Sequence, residues 1–279
     1  MNPLDFTGPG FLVFYAAYGA AVCLALYWLN RSREPQLPTG PAPTDPCTIA
    51  CLRGGPAEAL RVATVTLLER GALLLAPGDT LHVSRKVSLP PDASAIDRAV
   101  HRHFASGNDA RSIFEDEGLQ ATVRAHAEPV LEACGLIPDA ALKDARQRRF
   151  LGALVALAGL AGLKISVALS RGHSNVGLLV LAVGICGYAA YRITQQRRTP
   201  AGDRALNYLM HTFDSTRSRV KGRNHPPPEE MAVVAAVFGF GALEAVAYAQ
   251  TKALQPKASG GDAGGGCGGG CGGCGGCGG

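Results

Sequence analysis

The stretch FLGALVALAGLAGLKISVALS, residues 150–170, is followed after only four residues by NVGLLVLAVGICGYAAYRI, residues 175–193. Each run is about as long as one helical crossing of a bilayer requires. Lys164 lies near the far end of the first run, where its amine can extend to the membrane surface. Neither run has a polar face, which disfavours a hairpin buried inside a soluble domain. The pair therefore predicts two transmembrane helices joined by a tight turn.

Small residues are frequent in both runs, and such residues let membrane helices approach closely. We therefore expect glycines to form the contact between the two helices. The candidates are Gly152, Gly159, Gly162, Gly177, Gly184 and Gly187.

A third uncharged run, PGFLVFYAAYGAAVCLALYWLN, occupies residues 9–30, with Trp28 at its expected boundary. A signal peptide is disfavoured, because no basic residues precede the run and no small-residue cleavage pattern follows it. The fold class expected from these runs is a mainly α membrane protein with three transmembrane helices: 9–30, 150–170 and 175–193.

Basic residues flank all three runs on the side that would face the cytoplasm. Arg31 and Arg33 follow the first run, residues 143–149 precede the second, and residues 192–204 follow the third. Because cytoplasmic loops carry the excess of Lys and Arg, the predicted orientation places the N-terminus outside. The 31–149 region and the chain after residue 193 are then cytoplasmic, and membrane lipid is a partner.

A fourth apolar segment, residues 231–249, is ambiguous. Its apolar residues favour insertion by about 2–4 kcal/mol, whereas a charged residue such as Glu244 opposes insertion by about 2.5–3.5 kcal/mol. The segment is either a partly buried or interfacial helix or a fourth span. A fourth span would place the C-terminal tail outside.

Residues 31–46 are rich in proline and predict a linker, and residues 47–149 predict a helical domain with one β-hairpin. Pro56 suits the first turn of a helix, Gly71 suits the position after its end, and two short strands follow around a Pro-Gly-Asp turn. Helix, turn, helix and hairpin are the order of a winged-helix-like α+β domain. Residues 45–146 hold 14 acidic and 11 basic side chains, so a protein-interaction module is favoured over a DNA reader.

The segment 194–228 belongs to the most basic part of the chain. Between residues 192 and 223 there are eight Lys or Arg against two Asp. Next to a membrane span, this charge indicates attraction to anionic lipid headgroups. Contact with nucleic acid is not needed to explain this charge.

No motif for catalysis is present, and the chain is predicted not to be an enzyme. His101 and His103 fall on opposite sides of a helix, which makes them poor ligands for one metal ion. Cys47 and Cys51 share a helix face and are interpreted as small buried thiols. Asp116 and Glu117 are interpreted as capping or solvated residues at a helix end.

The segment 255–279 is expected to be a disordered Gly/Cys tail with thiols at Cys267, Cys271, Cys274 and Cys277. Thiolates are ligands for Zn(II) or Cu(I), but glycine offers no surrounding side chains to hold them in place. The same repeated units suit an enzyme that modifies cysteines in an extended peptide. A low-complexity tail without either role is the third interpretation.

The segments IACLRGGPAEALRVATVTLLERGALL, RTPAGDRAL and AVFGFGAL, together with the three spans and the tail, resemble a family of uncharacterised bacterial membrane proteins. The resemblance covers essentially the whole chain and is sharpest at residues 53–56, residues 69–71 and the tail. It implies no established activity. Genes of the family can lie near those of iron-dependent enzymes that modify peptide cysteines, which favours a modified tail. Glu244 departs from the family pattern.

The sequence therefore predicts an integral membrane scaffold that presents a Cys-rich tail to a metal ion or to a protein partner. In one alternative, the tail is a precursor-like substrate of a cysteine-modifying enzyme. In another, the chain is a membrane-anchored winged-helix regulator.

Overall fold

The computed structural model describes residues 8–76, 79–84, 87, 89, 93–170, 177–223, 226–242 and 254. It is 76% helical, with three long apolar helices and a small sheet of three strands within these residues. The three apolar helices form a bundle, and chain segments before and after the last two of them form a globular domain. The mainly helical class expected from the sequence is confirmed.

The bundle consists of α1 (Gly8–Arg33), α6 (Ala140–Ser170) and α7 (Gly177–Thr194). Each is long and apolar enough to cross a membrane. α6 begins ten residues before the apolar run that starts at Phe150, because the charged residues ahead of that run are also good helix formers. α1 and α7 run in the same direction, and α6 runs against both.

Side chains of α1 hold the bundle together. The hydroxyl of Tyr15, which is fully buried, donates to the carbonyl oxygen of Leu157 at 3.1 Å, and Tyr18 donates to that of Ala156 at 3.3 Å. On the other side, Gly19 faces Cys186, and a Cβ at Gly19 would lie 2.5 Å from the Cys186 sulfur. A side chain at residue 19 would therefore require the Cys186 side chain or one of the two helices to shift.

The predicted glycine contact between α6 and α7 is wrong. An added Cβ would meet nothing within 4 Å at Gly152, Gly159, Gly162, Gly177 and Gly184. At Gly187 it would only touch Leu154, at 3.9 Å. The close approach is made by Gly19 of α1 instead, because the α1 tyrosines and the larger apolar side chains fill the remaining contacts.

The outer face of the bundle is apolar. Trp28 of α1 is 72% exposed and Val155 of α6 is 71% exposed, and apolar side chains of α7 are exposed as well. Further exposed apolar residues are Val13, Leu24, Leu151, Leu163, Leu178, Leu181, Ile185 and Tyr188. Such a contiguous apolar surface needs a covering, and lipid is one that suits three helices of this length.

The globular domain is built from six helices among the described residues. They are α2 (Pro46–Gly54), α3 (Pro56–Glu69), α4 (Ala95–His103), α5 (Glu117–Ala133), α8 (Pro200–Lys221) and α9 (Pro228–Phe238). α3 lies at the centre and packs against α2, α4, α5 and α9. None of its 14 residues is exposed. Pro56 begins α3, and Gly71 follows its end with φ +70°, both as predicted.

A small antiparallel sheet follows α3. β1 (Leu73–Ala76) pairs with β2 (Thr80–Val83), with Leu73 opposite Val83, so the predicted hairpin is confirmed. β3 (Asn108–Asp109) adds a third strand beside β2. A short 3-10 turn, Ala110–Phe114, then leads towards α5.

The globular domain extends beyond residues 47–149. α8 contributes Ala205 and Leu209 to its core, and α9 contributes Met231, Val234 and Val237. The basic segment therefore contains a helix, α8, that packs on the domain.

Candidate functional sites: the tail root and the junction

The tail cysteines Cys267, Cys271, Cys274 and Cys277 lie outside the described residues, as does Glu244. The described residue nearest to the tail is Leu254, which is 1% exposed and belongs to the core of the globular domain. The contacts of Leu254 therefore determine where the chain enters its last 25 residues. We call Leu254, with Arg53, Glu58 and Arg61, the tail root.

Arg61 holds the tail root. Its Nε donates to the carbonyl oxygen of Leu254 at 3.0 Å, and its Nη1 donates to Glu58 at 2.7 Å. The guanidinium group lies over two aromatic rings, 5.4 Å from the centre of Phe114 and 5.7 Å from that of Phe240. Burial lowers the pKa of Arg61, and the Glu58 carboxylate opposes that shift. An arginine starts from so high a pKa that the group stays charged.

Glu58 also connects the tail root to α9. Its second carboxylate oxygen accepts a hydrogen bond from Arg53 Nη2 at 2.5 Å, and Arg53 Nε donates to the carbonyl oxygen of Ala236 at 2.9 Å. Gly239 follows the end of α9 with φ +87°, and the Arg53 guanidinium fills the place where a side chain at residue 239 would lie. One carboxylate in the first turn of α3 thus positions both α9 and Leu254.

The described part of the apolar segment 231–249 is a buried helix of the globular domain. α9 has 11 residues, a length of about 16 Å, whereas a membrane core is about 30 Å thick. Ala242 and Leu254, on either side of the interval 243–253, are both buried in the domain. The described part of this segment, residues 231–242, is therefore largely buried in the domain, and residues 243–249 lie outside the described residues.

Glu34 and Arg146 form a buried ion pair where the bundle meets the globular domain. Arg146 Nε and Nη2 donate to the two carboxylate oxygens of Glu34, each at 2.7 Å, and the side chains are 4% and 3% exposed. Arg146 also donates to the carbonyl oxygens of Gln196 and Arg198. We call these four residues the junction. A single guanidinium group here connects the end of α1, the start of α6 and the segment between α7 and α8.

The predicted linker 31–46 packs along the domain next to the junction. The Thr39 amide donates to the carbonyl oxygen of Cys134 at 3.1 Å, and the Ala201 amide donates to that of Pro35 at 3.1 Å. The segment is therefore attached to the domain by backbone hydrogen bonds. A free spacer would lack such contacts.

A cavity of about 410 Å³ opens beside the junction, and we call it the junction cavity. Its polar lining comes from the start of α6 and from the segment that follows α7, and includes Lys143, Arg146, Gln147, Gln195, Gln196 and Arg197. Glu128 of α5 lines it as well and lies 3.8 Å from Arg197 Nη2. The sequence did not indicate this cavity, because its walls come from three separate segments.

Cys47 and Cys51 are buried thiols in α2, as interpreted from the sequence. Burial raises the pKa of both. For Cys51 the nearby Arg197, whose Nη2 lies 3.5 Å from the sulfur, counteracts part of that shift. Protonated core thiols are poor metal ligands. Within the described residues, no group of three or more His, Cys, Asp or Glu could hold a metal ion.

His103, Ser112 and Asp116 form a hydrogen-bonded array that sequence reasoning missed. His103 Nδ1 lies 3.0 Å from Asp116 Oδ2, and His103 Nε2 lies 2.6 Å from Ser112 Oγ. This is the order of hydrogen bonds in Ser-His-Asp catalytic sites. Here, however, Ser112 Oγ also lies 2.7 Å from the carbonyl oxygen of Asp109, and Asp116 caps α5. The array therefore connects the end of α4 to the start of α5. Its three residues come together because of the fold of the turn between these helices.

Comparison of the chain with protein families, with curated proteins and with solved structures found no match. The family resemblance stated from the sequence therefore stays a prediction. The tail root, the junction and the bundle are the features of the described residues that bear on function.

Proposed function

We propose that the chain is a multi-pass protein of a bacterial inner membrane, with its N-terminus outside and its globular domain in the cytoplasm. The apolar outer face of the bundle supports the membrane placement. Asn30 accepts a hydrogen bond from Arg149, and Phe150 packs edge-on against Tyr191. The basic segments beside these residues therefore meet at one end of the bundle, next to the domain, and a cytoplasmic domain follows from the positive-inside rule.

In this membrane protein the globular domain is a scaffold that presents the Cys-rich tail. The observation that carries this proposal is the hydrogen bond from Arg61 to the carbonyl oxygen of Leu254, which attaches the start of the tail to a buried site. On the cytoplasmic side the tail thiols stay reduced. Reduced thiols are available to Zn(II), to Cu(I) or to a protein partner.

In the alternative, the tail is the substrate of a cysteine-modifying enzyme, and the tail root would hold the start of the tail in the same way. A cysteine-modifying enzyme would meet the tail at a constant distance from the membrane. The third possibility, a DNA-binding regulator, is disfavoured by the burial of α3, the helix that would have to read DNA. A recognition helix must insert an exposed face into the major groove, and no residue of α3 is exposed.

Intact mass of the protein purified from its native host separates the first two roles. Unmodified tail cysteines, with Zn(II) or Cu(I) bound in a constant ratio, would support presentation of thiols to metal. A mass difference localised to residues 267–277 would support the substrate role.

The matched control replaces the four tail cysteines together, by Cys267→Ser, Cys271→Ser, Cys274→Ser and Cys277→Ser. This variant keeps the five cysteines that the structure describes: Cys23, Cys47, Cys51, Cys134 and Cys186. Metal binding that persists in the variant would show that the tail is not the ligand. If deletion of residues 260–279 changes no phenotype of the host, both roles of the tail are refuted.

A further inference from the structure

We infer that the junction cavity binds the phosphate of an anionic phospholipid headgroup. This inference rests on the proposed membrane placement and goes beyond it, because it assigns a discrete site to one kind of lipid. The general attraction of a basic segment to a membrane surface needs no such site. Three properties of the cavity carry the inference: its position along the bundle, its charge and its donor groups.

The position of the cavity along the bundle matches the level of a lipid headgroup in the membrane. Arg146 lies one helical turn before Phe150, where the apolar run of α6 begins, and Thr194 is the last residue of α7. Both line or border the cavity where the two helices leave the apolar region. The rings of Phe150 and Tyr191 meet edge-on, with their centres 6.4 Å apart, just beyond this point. Aromatic side chains gather at the membrane–water boundary, so the cavity opens where lipid phosphates lie.

Two of the three segments that line the cavity are strongly basic, and the third contributes Glu128, which pairs with Arg197. Residues 143–149 and 192–198 together hold seven Lys or Arg and a single acidic residue, Asp144. A basic cavity between membrane helices on the cytoplasmic side is the arrangement that binds anionic lipid headgroups.

Lys143 and Arg197 are the cations that can reach a phosphate. Arg146 directs its donors to Glu34 and to two carbonyl oxygens, so its role is to shape the cavity. Lys143 pairs with Glu132 at 3.1 Å and Arg197 pairs with Glu128 at 3.8 Å, and these side chains are between 31% and 54% exposed. Exposed pairs of this kind are weak, and a phosphate can replace them.

Glutamine amides complete the lining. Gln147, Gln195 and Gln196 are exposed in the cavity wall. Their amide groups both donate and accept, which suits the hydroxyl groups of a glycerol headgroup. Phosphatidylglycerol combines that headgroup with one negative charge and is the probe of choice.

The test uses the full-length protein purified in detergent. Native mass spectrometry measures the binding of phosphatidylglycerol and, for comparison, of phosphatidylcholine. The double variant Lys143→Gln/Arg197→Gln removes the two cations. The control variant Arg219→Gln/Lys221→Gln removes two basic residues from the last turn of α8, about 30 Å along that helix from its start.

We expect the wild type and the control to prefer phosphatidylglycerol. The cavity variant should lose about tenfold in affinity for each charge-assisted hydrogen bond removed. Equal binding by the cavity variant and the wild type would overturn the inference. Displacement of the lipid by an equal concentration of inorganic phosphate would show that the site recognises free phosphate, and the lipid assignment would then fail.

Extraction with alkaline carbonate, applied to host membranes, tests the membrane placement separately. Release of the wild-type protein would refute that placement and the lipid site with it. Retention of the protein combined with unchanged lipid binding by the cavity variant would refute the lipid site alone.

Discussion

The buried ion pair of the junction makes a sharp prediction for Glu34→Ala. The change leaves the Arg146 guanidinium in a site where its side chain is 4% exposed, without the two hydrogen bonds of 2.7 Å that it makes to Glu34. Removing one partner of a buried pair costs about 3–5 kcal/mol, because the remaining charge stays desolvated. For a chain of this size the loss corresponds to a decrease in Tm of about 10 °C.

The assay is thermal unfolding of the purified protein in detergent, followed by circular dichroism at the helical minimum. Glu132→Ala is the matched control, because it breaks the exposed pair with Lys143. Exposed pairs contribute about 0–1 kcal/mol, so the control should change the Tm by no more than about 3 °C. Equal decreases for the two variants would refute the argument that the junction is a buried electrostatic site.

A second variant distinguishes the charge effect from general damage to the fold. Glu34→Leu/Arg146→Met replaces both charges by apolar groups, and such replacements are often neutral. Here recovery should be partial, because the carbonyl oxygens of Gln196 and Arg198 lose their donor. A double variant less stable than Glu34→Ala would contradict this account.

Four further predictions follow from other contacts. Trp28, the only tryptophan and 72% exposed, should be quenched more by lipids brominated near the headgroup than by lipids brominated near the bilayer centre; the opposite order would refute its boundary position. Arg61→Met, measured against Arg219→Met, should speed proteolysis after Ala242, because Leu254 loses its donor. Hydrogen bonds from backbone amides, chiefly that of Leu119, lower the pKa of Asp116 in the folded protein. The stability that Asp116 contributes is therefore present above its unfolded-state pKa of about 3.9. This stability is lost as the pH falls through the lower folded-state pKa. Asp116→Ala should therefore cost about 1 kcal/mol of cap stability at pH 7 and less in strong acid, and an equal cost at both pH values in denaturation curves would contradict this. A fluorophosphonate probe should leave Ser112 unmodified, because its hydroxyl lies 2.7 Å from the Asp109 carbonyl oxygen; labelling that disappears in Ser112→Ala would instead indicate nucleophilic chemistry.

The elements with strong local signals could be predicted from the sequence. The apolar runs are long and contain a single charged residue before the arginine near the end of the third, Lys164, and the structure has helices at all three. The start of α3 at Pro56 and the left-handed Gly71 after its end are local effects of those two residue types. The hairpin follows from two short apolar segments around a turn.

Contacts between distant segments could not be predicted in this way. Glycine content indicated a close helix contact, but composition does not show which face of a helix meets a neighbour, and Gly19 makes the contact instead. The tail root depends on Arg61 and Leu254, which are 193 residues apart. Arg146 and Glu34 are 112 residues apart and would each be interpreted alone as surface charges. His103 and Ser112 are closer in sequence, but their contact needs the turn Ala110–Phe114.

The continuity of α6 has a mechanical consequence. The helix runs without a break for 31 residues, from charged sequence at the domain into the apolar bundle, a rod of about 46 Å. In the proposed membrane placement, tilting such a rod by about 10° moves its end by about 8 Å parallel to the membrane plane. Arg146 of α6 also donates hydrogen bonds to Glu34, next to α1, and to Gln196, next to α7. We therefore expect the globular domain to tilt together with the helix. In the proposed membrane placement, a change in bilayer thickness would therefore change the orientation of the globular domain.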